Sequence, residues 1–169
     1  VEITCYYHPD REVNRLNEIK SLAPLHSLRQ DIYKSSIIVF LTEILNKVII
    51  ERDKNEPLFR FIFNALLTFD SIEENNGFHL QFLLKLTTFL GFSVENPEDF
   101  INESTQSNFY SKSENLEYLK YLIQSPLDTT IKTDSKTRSM VLQDIVYYYQ
   151  QHMGVPKLKS LEVLSTIFR

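Results

Sequence analysis

The sequence predicts a mainly α protein, a helical bundle of about five to seven helices preceded by a short β-hairpin. Three observations support this class. Two successive segments have the composition of buried helices, hydrophobic residues make up 43% of the chain, and 169 residues contain only three glycines and no tryptophan. So low a glycine content argues against a turn-rich all-β protein. The length fits one domain, or one domain with a fragment of another.

The beginning of the chain indicates strands. Residues 1–7 alternate between two faces with the period of a strand, and residues 13–19 form a second, less regular strand after a turn at Pro9 and Asp10. A lone hairpin is barely stable in water. We therefore expect it to pack against the rest of the chain or against strands outside this sequence. The start at Val1, in the middle of a pattern, also indicates a longer chain.

The first predicted helix spans residues 28–51. Apolar side chains recur three and four positions apart between residues 37 and 48, which is the spacing of one helix face. Glu43 and Lys47 lie four positions apart on the opposite face, where they can form an ion pair. Residues 52–54 are charged and provide the exit from this helix.

Two helices that are apolar around nearly their whole circumference follow, within residues 57–70 and 75–92. Asn55 is placed to cap the first of them, and Pro57 lies in its first turn, where proline is tolerated. Their thin polar stripes are formed by Arg60, Asn64 and Thr68, and by Gln81, Lys85 and Thr88. Helices of this kind form the core of a bundle. The polar interruptions and the stop at Gly91 argue against a membrane span.

The second half of the chain predicts three further helices. Residues 93–112 are acidic and poorly periodic, so we expect a loop there with room for one helical turn. A helix begins at Ser113 and is ended by Pro126, and a second loop follows. Further helices span residues 136–153 and 159–168 and complete the bundle.

No catalytic signature occurs in the sequence. There is no glycine-rich phosphate loop, no HExxH pair and no nucleophile elbow. A single cysteine, Cys5, excludes an internal disulfide and a cysteine-cluster zinc site. We expect no cofactor and no metal, and we expect that the protein is not an enzyme. No signal peptide is visible, so a cytoplasmic location fits, and the net charge of −4 argues against strong nucleic-acid binding through bulk charge.

Three other groups of residues allow a functional or a structural interpretation. His79 shares a helix face with leucines, which favours a hydrogen-bonded core histidine over a metal ligand or base. The pairs 73–74 and 98–99 are acidic and fit solvated loop charges better than paired catalytic carboxylates. Residues 147–149 are three tyrosines that could stack on bases, but few of them can share one helix face, which favours core packing.

Basic residues beside apolar helix surfaces are the candidate binding residues. An ammonium group at the border of an apolar groove suits a peptide that ends in acidic residues and an aromatic, because the carboxylates pair with the cation while the ring enters the groove. Alternatively, these cations only keep the exposed surface soluble. The candidate contacts with an anionic partner are Lys34, Lys47, Arg60, Lys85, Lys157 and Lys159. The candidate groove walls are Phe59 and Leu86.

Four blocks of sequence together resemble the C-terminal helical domain of the bacterial DNA repair protein RecO family. In the order of that family, they are residues 25–48, 57–70, 78–92 and 147–168. The most specific motifs within them are KS at 34–35, FLLKL at 82–86, LGF at 90–92 and LKSLEVL at 158–164. The resemblance implies that residues 1–25 end an N-terminal OB-fold domain, most of which lies outside this sequence. Residues 26–169 would form the helical domain.

The resemblance also implies a function in recombination. Such a protein binds single- and double-stranded DNA, anneals complementary strands, and works with RecR to load recombinase onto DNA coated by the single-strand-binding protein, SSB. Its DNA contacts would lie mainly in the OB domain, and the helical domain would receive the acidic, Phe-ended tail of SSB. A location in the cytoplasm at the nucleoid would follow. Some members hold zinc with four cysteines after the LGF motif, but this sequence has none there.

Two other hypotheses remain open. The domain could be a purely structural helical scaffold that braces the OB fold and a partner subunit, in which case the isolated domain should bind no tail peptide. It could also be an enzyme with an unrecognised site, which the absence of clustered histidines, cysteines or acids disfavours.

Overall fold

A computed structural model describes residues 1–49, 54–73, 77–129 and 132–167. Within these ranges, a two-stranded hairpin precedes eight α-helices and one 3₁₀ helix, so the predicted class is confirmed. The strands are β1 (Glu2–Tyr6) and β2 (Arg15–Lys20). The helices are α1 (His26–Gln30), α2 (Ile32–Val48), α3 (Glu56–Ser71), α4 (Phe78–Leu90), α5 (Pro97–Glu103), α6 (Ser113–Gln124), α7 (Ser135–Met153) and α8 (Ser160–Ile167), and the 3₁₀ helix is Ser107–Ser111. None of the described helices has the length and apolar character needed to cross a membrane.

The hairpin has one apolar and one polar face. Its antiparallel register pairs Ile3 with Ile19 and Cys5 with Leu16, and directly opposed residues point to the same side of a ribbon. Every residue of both strands is exposed. The described remainder of the chain therefore leaves the apolar face uncovered, so the expected packing of the hairpin against the bundle is not found.

Two helices replace the single helix that was predicted over residues 28–51. Asp31 has an extended backbone and separates α1 from α2. Its carboxylate accepts hydrogen bonds from the backbone N–H groups of Tyr33 (2.7 Å) and Lys34 (3.1 Å), so it caps α2. The expectation of one continuous helix was wrong because Asp31 both ends α1 and caps α2. The predicted helix end and its charged exit lie, apart from Lys54, outside the described residues.

The buried Lys34 ammonium joins three helices. Its Nζ atom donates hydrogen bonds to the Ser27 hydroxyl (2.6 Å), to the Asp70 carbonyl (3.2 Å) and to the Ile72 carbonyl (2.6 Å). The two carbonyls lie at the C-terminal end of α3, where backbone acceptors lack partners within the helix. In return, the Asp70 carboxylate accepts from the N–H of Leu28 in α1 at 2.9 Å.

The two apolar helices differ in how deeply they are buried. Nine of the thirteen residues of α4 are buried, as predicted for a core helix. Only three of the sixteen residues of α3 are buried, so the same prediction for α3 was wrong. Because α3 lies at the edge of the bundle, Phe59 is 58% and Leu67 is 39% exposed. The predicted capping of α3 is confirmed, since the Asn55 side chain accepts from the N–H of Leu58 at 3.1 Å.

A buried carboxylate organises the segment that was predicted as a loop. Residues 93–112 contain α5 and the 3₁₀ helix, which is more regular structure than expected. Asp144 of α7 is 1% exposed and accepts hydrogen bonds from the hydroxyl groups of Ser104 (2.8 Å), Thr105 (2.8 Å) and Tyr110 (2.9 Å). A charge so deeply buried needs these partners. The segment is therefore ordered by a residue more than thirty positions away.

The second half of the bundle packs largely as predicted. Helices α6, α7 and α8 begin within one residue of their predicted starts, and the predicted end of the last helix lies outside the described residues. The Tyr149 hydroxyl donates to the carbonyl of Leu83 at 2.7 Å, which fixes α7 against α4. Tyr148 and Tyr149 are buried, so the interpretation of the tyrosine run as core packing is confirmed for these two residues.

Replacing Lys34 with Met tests the junction of the first three helices. The variant leaves three half-buried oxygen acceptors without the donor that they share, so we expect the free energy of unfolding to fall by about 2–4 kcal/mol. The measurement is urea unfolding followed by circular dichroism. Lys54→Met is the matched control, because Lys54 forms an exposed ion pair with Glu56. It should change stability by less than about 0.5 kcal/mol, and equal effects of the two substitutions would contradict the assignment.

Candidate functional site

A hollow of about 680 Å³ lies between α7, α8 and the beginning of α4. We call it the α7–α8 hollow. Its lining contains the apolar residues Met140, Leu142, Leu161 and Leu164, and the polar residues His79, Ser135, Lys136, Arg138, Ser139 and Gln143. An apolar floor with a few polar groups at its border is the usual arrangement of a ligand site.

Two cations stand at the border of this hollow. Lys136 is exposed, and Arg138 is half-buried with its Nη1 atom donating to the carbonyl of Thr133 at 2.5 Å. Among the described residues, neither cation forms an ion pair with an acid. The first turn of α7 contains no acidic residue, and the N-cap Asp134 directs its carboxylate to the backbone N–H (2.8 Å) and the hydroxyl (2.7 Å) of Thr137. The border of the hollow is therefore cationic beside an apolar floor.

His79 lies on the α4 side of the hollow and is buried. Burial lowers the pKa of its imidazole from the ordinary value of 6.5 to about 3, and the positive charge of Arg138 acts in the same direction. The ring is therefore neutral at physiological pH, and its edge contacts the Phe40 ring with centroids 6.4 Å apart. This environment confirms the core position expected for His79. In the part of the chain that the structure describes, no three His, Cys, Asp or Glu side chains are grouped to hold a metal ion.

Two of the candidate site residues lie in the interior. Lys34 is 2% exposed and its ammonium serves the end of α3, while Leu86 is 0% exposed within α4. Neither side chain can meet an external partner in this conformation, so the expectation of an anion contact at Lys34 and of a groove wall at Leu86 was wrong. The physical reason is that both lie on helix faces covered by neighbouring helices.

Lys85 has a structural partner at the end of another helix. Its Nζ atom donates to the carbonyl of Ile123 in the last turn of α6 at 3.1 Å. Gln81, one turn earlier, donates to the carbonyl of Pro126 at 3.3 Å. Lys85 is half-buried, and this burial lowers the pKa of its ammonium. The polar stripe of α4 therefore satisfies the C-terminal carbonyls of α6.

Phe59 and Arg60 lie on the exposed face of α3, away from the α7–α8 hollow. Arg60 forms an ion pair with Glu56 one turn earlier, with its Nε atom 3.1 Å from the carboxylate oxygen. Phe59 lies nearly parallel to the ring of Phe63, with centroids 6.0 Å apart. Phe59 and Arg60 thus share one surface of α3, and this surface does not include the candidate lysines.

The three remaining lysines lie around the beginning of α8. Lys47 is 4.0 Å from the Glu43 carboxylate, which also accepts from the backbone N–H of Lys159 at 3.1 Å. Lys157 forms an ion pair with Glu162 at 2.8 Å. A second, shallower groove of about 450 Å³ adjoins them between α2 and α8, and we call it the α2–α8 groove. It is lined by Ser35, Ser36, Val39, Glu43, Lys159, Ser160 and Val163.

Comparison with known proteins gives one consistent family. The family model described as "Recombination protein O C terminal" matches residues 29–162. The DNA repair protein RecO of Flavobacterium psychrophilum is 33% identical over 180 residues, which cover 99% of this chain and 76% of that protein. The chain belongs to the RecO family. The RecO proteins of Christiangramia forsetii and Flavobacterium johnsoniae are 33% identical over 181 residues and 31% identical over 179 residues, and these alignments also cover 99% of this chain and 76% of each relative.

Membership of the RecO family establishes a role in DNA repair, in agreement with the resemblance of the sequence blocks. No solved structure gives a significant match to the chain.

Lys136 and Arg138 were not among the candidate residues. Sequence reasoning selected cations on helices with a wide apolar surface and the two lysines that flank the start of the last helix, whereas Lys136 and Arg138 lie in the first turn of the more polar α7. A signal was nevertheless present. Cations in the first turn of a helix oppose the helix dipole, and such a choice suggests a role in binding an anion, although the Asp134 carboxylate at the N-cap of α7 is favourable there.

The burial of His79 predicts a pH dependence of stability. Its folded-state pKa lies below the unfolded value, so its contribution is complete above about pH 6.5 and is lost as the pH falls toward 3. Between pH 7 and pH 5 we expect the wild type to lose about 2 kcal/mol of unfolding free energy that a His79→Gln variant does not lose. Denaturant titrations of both proteins at the two pH values measure this difference.

The control for this prediction is His8→Gln, a substitution at an exposed hairpin position. It should retain the pH dependence of the wild type. If His79→Gln retains it as well, the imidazole is not neutral and buried as described.

Proposed function

We propose that this chain is the helical, partner-binding part of a recombination mediator that helps to load recombinase onto SSB-coated single-stranded DNA and to anneal complementary strands, together with RecR. The role is one of binding rather than catalysis. Membership of the RecO family supports the recombination role. The α7–α8 hollow supports the binding role, because its lining has the chemistry of a peptide site.

The partner that this hollow fits is the acidic, Phe-ended tail of SSB. Its apolar floor of Met140, Leu142 and Leu164 can accept an aromatic side chain. Lys136 and Arg138 can pair with the terminal carboxylate and neighbouring acids, and such charge-assisted contacts are strong where water is partly excluded. The observation that carries this proposal is the pair of cations, without acidic partners among the described residues, beside an apolar hollow.

The lysines at the beginning of α8 are proposed as outer contacts of the same peptide. Lys157 and Lys159 are exposed, and Lys47 is half-buried beside them. They can attract acidic residues that precede the end of the tail, although two of them already have acidic neighbours. Such exposed contacts contribute less to affinity than cations at the border of the hollow.

The hairpin supports the proposed domain organisation. We propose that residues 1–25 complete an N-terminal OB fold, which would cover the apolar face at Ile3 and Ile19. The RecO relatives are longer than this chain, which covers 76% of their length. The single- and double-stranded DNA contacts would lie mainly in that OB domain, because the chain itself carries a net charge of −4. A location in the cytoplasm at the nucleoid follows from this role.

One observation favours the scaffold hypothesis as a second candidate. The exposed face of α3 presents Phe59, Phe63 and Leu67 with Arg60 beside them, which suits packing against another folded domain. A scaffold that only braces the OB fold or a partner subunit through this face would bind no tail peptide. Peptide titration therefore distinguishes the two functions.

Replacing Lys136 with Glu should weaken binding of an acidic, Phe-terminated peptide about tenfold or more, because it places a like charge beside the peptide carboxylates. The measurement is fluorescence anisotropy of the labelled peptide. Lys120→Glu on α6 is the matched control, since Lys120 is outside the hollow and pairs with Glu117. No binding by the wild type would favour the scaffold, and equal losses in both variants would exclude this position for the site.

The uncovered hairpin face gives a test of the domain organisation. Ile19→Thr should change the free energy of unfolding of this chain by less than about 0.5 kcal/mol, because Ile19 is exposed. In a longer chain with the complete OB fold, the same change should cost about 1–3 kcal/mol, since the side chain would be buried. Thermal unfolding of both lengths measures this. Glu18→Thr, on the opposite face, is the control, and small Ile19 effects at both lengths would contradict the proposal.

A further inference from the structure

One wall of the α7–α8 hollow depends on the placement of α8. Leu161 and Leu164 of α8 line the hollow, opposite residues of α7. Among the described helices, α8 packs mainly against α2. The contacts between α8 and α2 therefore determine the position of Leu161 and Leu164 in the hollow.

The strongest polar contact between these helices is made by Glu43 of α2. Its carboxylate accepts hydrogen bonds from the backbone N–H of Ser160 (2.8 Å), from the N–H of Lys159 (3.1 Å) and from the Ser160 hydroxyl. The first N–H groups of a helix have no acceptor within the helix, and a negative charge is favourable there. Glu43 thus caps α8 from another helix.

Glu43 lies away from the hollow itself. It lines the α2–α8 groove together with Ser160 and Val163, whereas Leu161 and Leu164 line the α7–α8 hollow from an adjacent face of α8. The end of a peptide that enters the hollow would therefore not touch Glu43, and only the proposed outer contacts at Lys47 and Lys159 lie beside it. The hydrogen bonds from Ser160, above all that of its hydroxyl, lower the pKa of the Glu43 carboxyl, so the cap is ionised at neutral pH.

We infer that Glu43 is a positioning residue for the α7–α8 hollow: by capping α8 from α2, it fixes the Leu161–Leu164 wall and so sets the affinity of the hollow for its ligand. The binding consequence rests on the proposed peptide-binding function, whereas the position of the wall does not. Without the carboxylate, the buried Ser160 side chain and the first N–H groups of α8 lose their acceptor. The beginning of α8 would then fray or shift, and the wall with it.

A cysteine placed in the hollow measures the position of the wall without any peptide. Cys5 is exposed and is the natural cysteine of the chain, so the background is Cys5→Ser with Met140→Cys. In this background, Glu43→Ala should raise the alkylation rate of the new thiol about five- to tenfold, and Glu43→Gln, which keeps one acceptor oxygen, by a smaller factor. Glu117→Ala is the matched control, because Glu117 is a glutamate on α6 with a lysine partner.

Two further readouts separate positioning from a general loss of structure. Amide hydrogen exchange should increase in α8 but not in α4 of the Glu43 variants. In the chain with its natural Cys5 and Met140, affinity for the acidic, Phe-terminated peptide should fall about five- to tenfold in Glu43→Ala. If Glu43→Ala does not fold, Glu43→Gln decides the question with the same measurements.

Unchanged alkylation in the Glu43 variants would overturn the inference. Faster alkylation with unchanged peptide affinity would also overturn it, since α8 would then move without consequence for the site. If the wild type binds no peptide, the proposed function fails, and the alkylation rate still decides whether Glu43 fixes the wall.

Discussion

The ends of helices contain backbone groups without partners, and this bundle depends on satisfying them with side chains from other helices. The Lys34 ammonium of α2 donates hydrogen bonds to carbonyls at the end of α3, and the Asp70 carboxylate of α3 accepts one from the backbone N–H of Leu28 in α1. The Lys85 ammonium of α4 donates to a carbonyl at the end of α6, and the Glu43 carboxylate of α2 accepts from a backbone N–H at the beginning of α8. Each of these contacts fixes the position of one helix relative to another. Apolar packing alone, being non-directional, does not define such positions.

This constraint explains why the cations that stand out in the sequence are poor guides to binding. A lysine within an apolar helix was expected to attract an anionic partner, yet Lys34 and Lys85 are directed toward carbonyl oxygens of the protein itself. The cations at the border of the α7–α8 hollow come from a more polar helix. Lys136 is exposed and forms no ion pair among the described residues, so its charge is available to a partner, whereas Arg138 already donates one hydrogen bond to the Thr133 carbonyl.

The sequence was sufficient where local signals decide the structure. Helical period, capping residues and prolines gave the starts of α6, α7 and α8, the cap at Asn55 and the burial of α4. It was insufficient where distant contacts decide. The order in residues 93–112 depends on Asp144, and the exposure of α3 depends on its place at the edge of the bundle. The candidate site was missed for the same reason, since the hollow exists only once α7 and α8 have packed with α4, which is distant from them in sequence.

The hollow is also completed late in the synthesis of the chain. Its α7 side and the buried His79 precede α8, and the wall at Leu161 and Leu164 is the last part to be made. A growing chain on the ribosome therefore has no closed pocket until α8 has emerged and packed on α2. If the hollow receives a partner, only a chain whose α8 has emerged and packed can do so, and a shorter nascent chain cannot occupy that partner prematurely.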